Sequence, residues 1–302
     1  MECAMNRRTA CRTVIAGIAA ASAGMTPAQG APKRKLKIGH TSITWGFKPP
    51  DAEPGIKESA ALGYHAYESL GEVVQAWEEK GGLGRLLEEN HIPLPSTYCT
   101  VNLTDPAKRT DEVEKIIRHG KLIRKYGGKV AVIGPNGVKR PSFDFQASKA
   151  DIVATLNEVG KALGDLGMVG AVHQHTRTCI ETRDEVYTIM DAAETRYVKF
   201  GPDVAQLAAG GTDPVKVVKD LLPLIRNVHL KDYLGGPHWV GYCPLGQGKV
   251  DIPAVMDLLE QSKELEYVMV ELDPSPNPPL TPYEAARTSR DYLKKLGYTF
   301  RA

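Results

Sequence analysis

The stretch Arg226-Asn227-Val228-His229-Leu230-Lys231-Asp232 carries the reading of the whole chain. Its apolar positions predict a short buried strand, which then delivers a histidine, a lysine and an aspartate within four residues. Alternation at period 2 sends His229 and Lys231 to one side and Val228 and Leu230 to the other. A core strand has no packing use for that pair. Polar side chains at the C-terminal end of a strand, followed by the Gly-rich turn Leu234-Gly235-Gly236-Pro237, are what the active-site mouth of a parallel barrel requires. One such strand alone would read as a satisfied buried histidine. Other predicted strands, however, end in residues of the same kind.

Outward from that stretch, strand and helix patterns alternate from residue 36 onward. Strands are predicted at 36–43, 64–70, 92–99, 129–133, 168–173, 197–201, 227–230 and 267–272, with amphipathic helices clearest at 111–126, 149–166, 183–193, 213–225, 252–261 and 282–296. Joints such as Ala61-Leu62-Gly63-Tyr64 and Leu166-Gly167-Met168 carry the glycine that ends a helix before a strand. Eight β/α units in sequence predict an α/β chain folded as a single (β/α)8 TIM barrel rather than an open doubly wound sheet. The first strand ends in His40-Thr41-Ser42-Ile43-Thr44-Trp45-Gly46 and not in a glycine-rich phosphate loop, which removes the usual case for a dinucleotide fold.

The 302 residues, 42% hydrophobic and 25% charged, suit one globular domain behind a short leader. Residues 1–31 read as an export signal. Asn6-Arg7-Arg8-Thr9-Ala10-Cys11-Arg12 precedes an Ala/Gly-rich run too short to span a membrane, and the paired arginines resemble a twin-arginine signal, so the expected location is exported and periplasmic. An ordinary secretory signal or a basic tail competes with that reading, because Ala10 and Cys11 stand where large apolar residues are usual. Residues 32–302 form the predicted barrel. Removing 1–31 takes away three arginines and one glutamate and leaves 35 basic against 35 acidic residues, a neutral body that argues against nucleic acid as the main partner. Its cysteines, Cys99, Cys179 and Cys243, are widely spaced and odd in number, so semi-buried thiols are expected rather than disulfides or a CxxC metal site.

In a barrel the strand C-termini converge on one mouth. They bring Tyr67-Glu68 from strand 2, His173-Gln174-His175 from strand 5, Asp203 from strand 6, His229 and Lys231 from strand 7, and Glu271-Leu272-Asp273 from strand 8. Imidazole plus carboxylate, with no thiolate, suits one divalent ion of the Mn, Co, Mg or Zn type. Plainer roles exist for each. Glu68 can pair with a surface lysine, and Asp203, after Gly201-Pro202, can cap a turn. Glu271 follows Tyr267-Val268-Met269-Val270, where an unpaired carboxylate would be costly, and that favours a ligand. Trp45, Trp239 and Tyr242 can stack on a sugar ring or simply pack.

From Lys37 to Tyr298 the chain resembles the xylose isomerase-like TIM-barrel superfamily of sugar isomerases, epimerases and inosose dehydratases. The resemblance is carried by Asn227-Val228-His229-Leu230-Lys231-Asp232, residues 203–211 with Asp213-Pro214, Pro244-Leu245-Gly246-Gln247-Gly248 with Val250-Asp251, and Val270-Glu271-Leu272-Asp273. The run from Ile38-Gly39 to Trp45 and His173-Gln174-His175-Thr176 look most like the inosose dehydratase branch. The resemblance implies metal ligation by His173, Asp203, His229 and Glu271, and we expect substrate contacts from Trp45, Glu68, Gln206 and Trp239. The chain departs from the pattern at His173, where many isomerases carry a glutamate, and at Gln206, often a histidine. Epimerisation by two carboxylates across both faces of one carbon therefore loses support, whereas one-base enolisation or β-elimination does not.

A divalent ion chelating a carbonyl and its neighbouring hydroxyl acidifies the carbon-bound proton and stabilises an enediolate. Glu271, His175 and Lys231 are the candidates for moving protons, with the Lys231 pKa expected to be lowered by burial and the ion. The expected function is a metal-dependent isomerase or epimerase acting on a sugar, keto-sugar or cyclitol, and next an inosose dehydratase-like lyase. An apurinic endonuclease-like hydrolase would need more ligands for a trinuclear zinc site and a basic face. A non-catalytic sugar-binding barrel would tolerate loss of metal. A small-molecule substrate is the expected partner, and a homo-oligomer is compatible with the chain.

Overall fold

Eight short strands run parallel in the computed structural model, which describes residues 34–302, so the export-signal reading lies outside the described residues. They are β1 (Lys37–Thr41), β2 (Tyr67–Leu70), β3 (Ser96–Val101), β4 (Val130–Pro135), β5 (Val169–Val172), β6 (Val198–Phe200), β7 (His229–Leu230) and β8 (Tyr267–Val270). Neighbours pair in the order β6-β5-β4-β3-β2-β1-β8-β7, which sets the first strand beside the last, Lys37 opposite Tyr267 and His40 opposite Val270. The remaining seam, β6 to β7, is closed by single parallel bridges, Phe200 with Ile225 and Asp203 with His229, and by the His229 amide donating to the Pro202 carbonyl at 2.9 Å. This is the expected (β/α)8 barrel.

Both faces of such strands are covered, so residues facing either side are buried. Ile38, Ala131, Val198, Leu230 and Val268 have no exposure. The interior is tight enough that a Cβ on Gly39 would stand 2.6 Å from the Met269 sulfur and 2.9 Å from the Ala66 carbonyl. The helices are α1 (Ala52–Ala61), α2 (Gly71–Lys80), α3 (Leu83–Glu89), α4 (Arg109–Lys125), α5 (Phe145–Asp165), α6 (Arg183–Ala192), α7 (Val204–Ala209), α8 (Pro214–Leu221), α9 (Ile252–Leu259) and α10 (Pro282–Lys295). Side-chain caps start many of them. Asp144 accepts from the Ala147 amide before α5, and Thr182 with Glu185 and Thr281 with Glu284 form capping boxes before α6 and α10.

The departures from expectation follow from one aspartate cap and from proline and glycine. Helix α5 starts four residues before the predicted 149, where Asp144 caps it. The periodicity does not single out α1 to α3, because α1 carries Pro54 and Gly55 and Gly81-Gly82 splits the next connection in two. The helix predicted at 213–225 ends at Leu221 and passes into a 3-10 turn, Leu222–Leu224, containing Pro223. Strand 3 starts at Ser96 rather than 92, after Pro93 and Pro95, which have no amide to donate to a ladder. Cys99, Cys179 and Cys243 are free and buried, and among the described residues no helix is long and apolar enough to cross a membrane.

Beyond β7, Asp232–Tyr233 pairs antiparallel with Tyr242–Cys243. The Asp232 carboxylate then accepts from the amides of Tyr233, Gly246, Gly248 and Val250 at 2.8 to 3.1 Å. A Cβ on Gly248 would lie 2.1 Å from that carboxylate, which is why glycine stands there. Asp232 thus fastens the loop at 244–250 to the barrel mouth.

Candidate metal centre and acid–base site

Period-2 alternation does send His229 and Lys231 into the same buried space, where they meet residues from β5, β6 and β8. Among the described residues one group of three could hold an ion: His173, Asp203 and His229 each offer a ligand atom, and these lie within 4.8 Å of one another. His173 is fully buried with neither ring nitrogen hydrogen-bonded. Burial, then the neighbouring His229, hold its pKa well below the usual imidazole value, so the ring is neutral with a free lone pair. Asp203 divides its work. Oδ1 caps α7 by accepting from the Ala205 and Gln206 amides, both at 3.0 Å, while Oδ2 faces the cluster without an aligned hydrogen bond, 3.9 Å from His173 Nε2 and 2.9 Å from Lys231 Nζ.

His229 lies between two carboxylates. Its Nε2 is 2.5 Å from Glu68 Oε1, and its Nδ1 is 2.9 Å from Glu271 Oε2 without hydrogen-bond alignment. Burial alone would depress its pKa, but Glu271 and Glu68 outweigh it and hold the value well above the usual range. Glu271 is outside the group of three yet touches it. Bonds of about 2.1 Å to one ion place neighbouring ligand atoms about 3 to 3.5 Å apart, and the 2.9 and 3.9 Å separations bracket that spacing. Four carboxylates, Glu68, Asp203, Glu271 and Asp273, also outnumber the cations Lys231 and His229. Orphaned donor atoms and surplus negative charge fit a divalent ion.

Lys231 has no exposure and lies 2.6 Å from Glu271 Oε1, 2.6 Å from Asp273 Oδ2 and 4.7 Å above the Tyr242 ring. The expected lowering of its pKa is overturned. Burial does push it down, but Asp203, Asp273 and Glu271 outweigh burial and hold the ammonium well above the usual lysine value. On Glu271, burial favours the acid, and His229 and Lys231 outweigh it, so the carboxylate stays ionised.

His175 is half-buried. Its Nδ1 donates to the Thr176 carbonyl at 2.7 Å, and its Nε2 accepts from Gln206 Nε2 at 2.7 Å. Gln206 is in turn fixed by Thr176 Oγ1 at 2.7 Å and the Tyr242 hydroxyl at 2.5 Å donating to its Oε1. A cavity of about 360 Å³ opens over the cluster, lined by Glu68, His173, His175, Glu271 and Asp273 on its polar side and Ile43, Phe47 and Leu70 on its apolar side. Trp45 and Trp239 line an adjoining cavity of about 200 Å³ that shares Asp273, and Trp45 Nε1 donates to Glu58 at 2.6 Å. Among the lining residues outside the expected set are Phe47, 57% exposed, and Tyr98, whose ring meets His173 edge-on at 5.4 Å. Alternation along β3 could have found Tyr98, which falls on the same side as Ser96 and Thr100.

Comparison with known proteins agrees with this architecture. Inosose dehydratase from Clostridium botulinum (strain Alaska E43 / Type E3) is 26% identical over 295 residues, covering 86% of this chain and 97% of the relative. The crystal structure of the apo 3-keto-D-glucoside 4-epimerase YcjR from E. coli superposes with a TM-score of 0.69 at 17% identity, covering 86% of this chain and 100% of that one. The IOLI protein with a bound zinc atom superposes with a TM-score of 0.70 at 18% identity, covering 86% and 98%. The profile of one family spans residues 56–296, most of the ring and every strand that feeds the cluster. With eight parallel strands closed into a ring and their polar ends gathered at one mouth, the chain belongs to the xylose isomerase-like TIM barrel family.

Proposed function

We propose that this protein is a divalent-metal-dependent enzyme that removes the proton beside a carbonyl of a keto-sugar or keto-cyclitol and expels a neighbouring hydroxyl as water, a dehydration of the inosose dehydratase kind. The observation that carries this reading is the 2.6 Å contact between Lys231 Nζ and Glu271 Oε1, an acid and a base delivered side by side from adjacent strands. His173, Asp203 and His229, with Glu271 Oε2, would hold the ion. When bound, the ion supplies positive charge against the negative charge that develops on the substrate oxygens. Glu271 Oε1 takes the carbon-bound proton, Lys231 gives one to the departing hydroxyl, and proton passage across their hydrogen bond restores both groups. The surplus carboxylates around Lys231 keep it loaded for that donation.

Isomerisation is the second reading, because moving a proton between adjacent carbons on one face uses the same pair. Two-carboxylate epimerisation has less support, since His173 occupies the strand 5 ligand position. The test is full-length protein loaded in turn with Mn, Co, Mg and Zn and incubated with keto-cyclitols and keto-sugars in D2O. Loss of one water with a new conjugated absorbance is expected. Deuterium entering at carbon with no water lost would replace dehydration by isomerisation or epimerisation, and neither change with any metal would overturn the reading.

A further inference from the structure

Glu68 does work that the proposed chemistry has not used. It is buried, the second residue of β2, 161 residues before the histidine it touches. Oε1 receives the His229 Nε2 proton at 2.5 Å. Oε2 is fully engaged on its far side, accepting from Ser96 Oγ and from Asn227 Nδ2 at 3.0 Å. Asn227 also reaches Ser96 Oγ at 3.4 Å, so β2, β3 and the segment leading into β7 contribute to one buried tray beside the imidazole. An ionised carboxylate can only accept hydrogen bonds. Its contact therefore keeps a proton on Nε2, so an arriving ion would displace the proton on Nδ1, the nitrogen 2.9 Å from Glu271 Oε2.

We infer that Glu68, itself held by Ser96 and Asn227, is a positioning residue that sets the tautomer and orientation of His229 and so raises the affinity of the site for a divalent cation. The inference rests on the metal-dependent reading above and deepens it. It departs from the expectation that Glu68 contacts substrate. A carboxylate behind a ligating imidazole makes the other nitrogen more basic and spares the ring the entropy of being oriented, and losing such a partner typically weakens metal binding about 10- to 100-fold.

The test compares divalent-ion affinity in full-length wild type, Glu68→Gln and the double variant Glu68→Gln/Asn227→Asp, by competition with a chromophoric chelator for Zn and Mn. In Glu68→Gln the neutral amide offers His229 either a weaker carbonyl acceptor or an NH2 donor in place of a carboxylate, so affinity should fall about 10- to 100-fold. In the double variant the carboxylate introduced at position 227 would accept from the amide introduced at position 68 and turn that amide's carbonyl to the imidazole. Affinity there should recover at least threefold of the loss, which lost packing alone would not do. The imidazole 15N shifts of metal-loaded wild type give a readout independent of any variant's folding, with His229 expected to carry its proton on Nε2. Unchanged affinity in Glu68→Gln, no recovery in the double variant, or a proton on Nδ1 would each overturn the role of Glu68 alone. Absence of tight binding by wild type would overturn the metal reading and this inference together.

Discussion

Lys231 is where charge balance and chemistry meet. Replacing it by methionine removes the cation that faces Asp203, Glu271 and Asp273. Uncompensated buried charge of this kind costs about 3 to 5 kcal/mol, so the metal-free Lys231→Met protein should be destabilised by that order in thermal or denaturant unfolding. If Lys231 is also the acid, turnover per folded, metal-loaded molecule should fall about 100-fold or more with metal affinity changed much less. A rate within about threefold of wild type would leave it a counter-ion only. The pairing of His229 and Lys231 on one side was legible from alternation alone. The sign of the lysine's pKa shift was not, because the three carboxylates that set it lie 28, 40 and 42 residues away along the chain. Asp203 shows the same limit. Its sequence context allowed either a cap or a ligand, and in the structure one oxygen caps α7 while the other faces His173 and Lys231.

At the scale of elements, Asp232 ties the strand 7 motif to the loop at 244–250 through four amides. Asp232→Asn keeps one acceptor oxygen and turns an NH2 towards two of those donors, at a cost of about 1 to 3 kcal/mol. Amides of Gly246 and Gly248 should then exchange at least tenfold faster by hydrogen–deuterium exchange, with Val268 to Val270 unchanged. Equal acceleration in β8 would mean that the clamp supports the barrel itself. The motif Pro244-Leu245-Gly246-Gln247-Gly248 was visible in the sequence as a family mark, but its partner was not, because neither periodicity nor propensity links an aspartate to amides 14 to 18 residues on. The helices α4 to α6 and α8 to α10 were legible because each presents a continuous apolar face. Those broken by Pro54, Gly55, Gly81 and Gly82 were not.

At the scale of the whole molecule, the eightfold alternation of patterns was enough for the ring, since the first and last strands of such a chain have nowhere to pair except with each other. How the circle is completed could not be read from the sequence. Between β6 and β7 there is no continuous ladder, only single bridges, and one of them joins Asp203 to His229, two members of the group able to hold an ion. The barrel is therefore a hoop whose clasp includes two of the three residues that could hold an ion. An ion there would fasten the closure, contributing about 4 kcal/mol at a thousandfold excess over its dissociation constant. Stripping it with a chelator should release the His229 amide from the Pro202 carbonyl before strands β3 to β5 loosen, so the order of amide exchange around the ring would report occupancy with no substrate present.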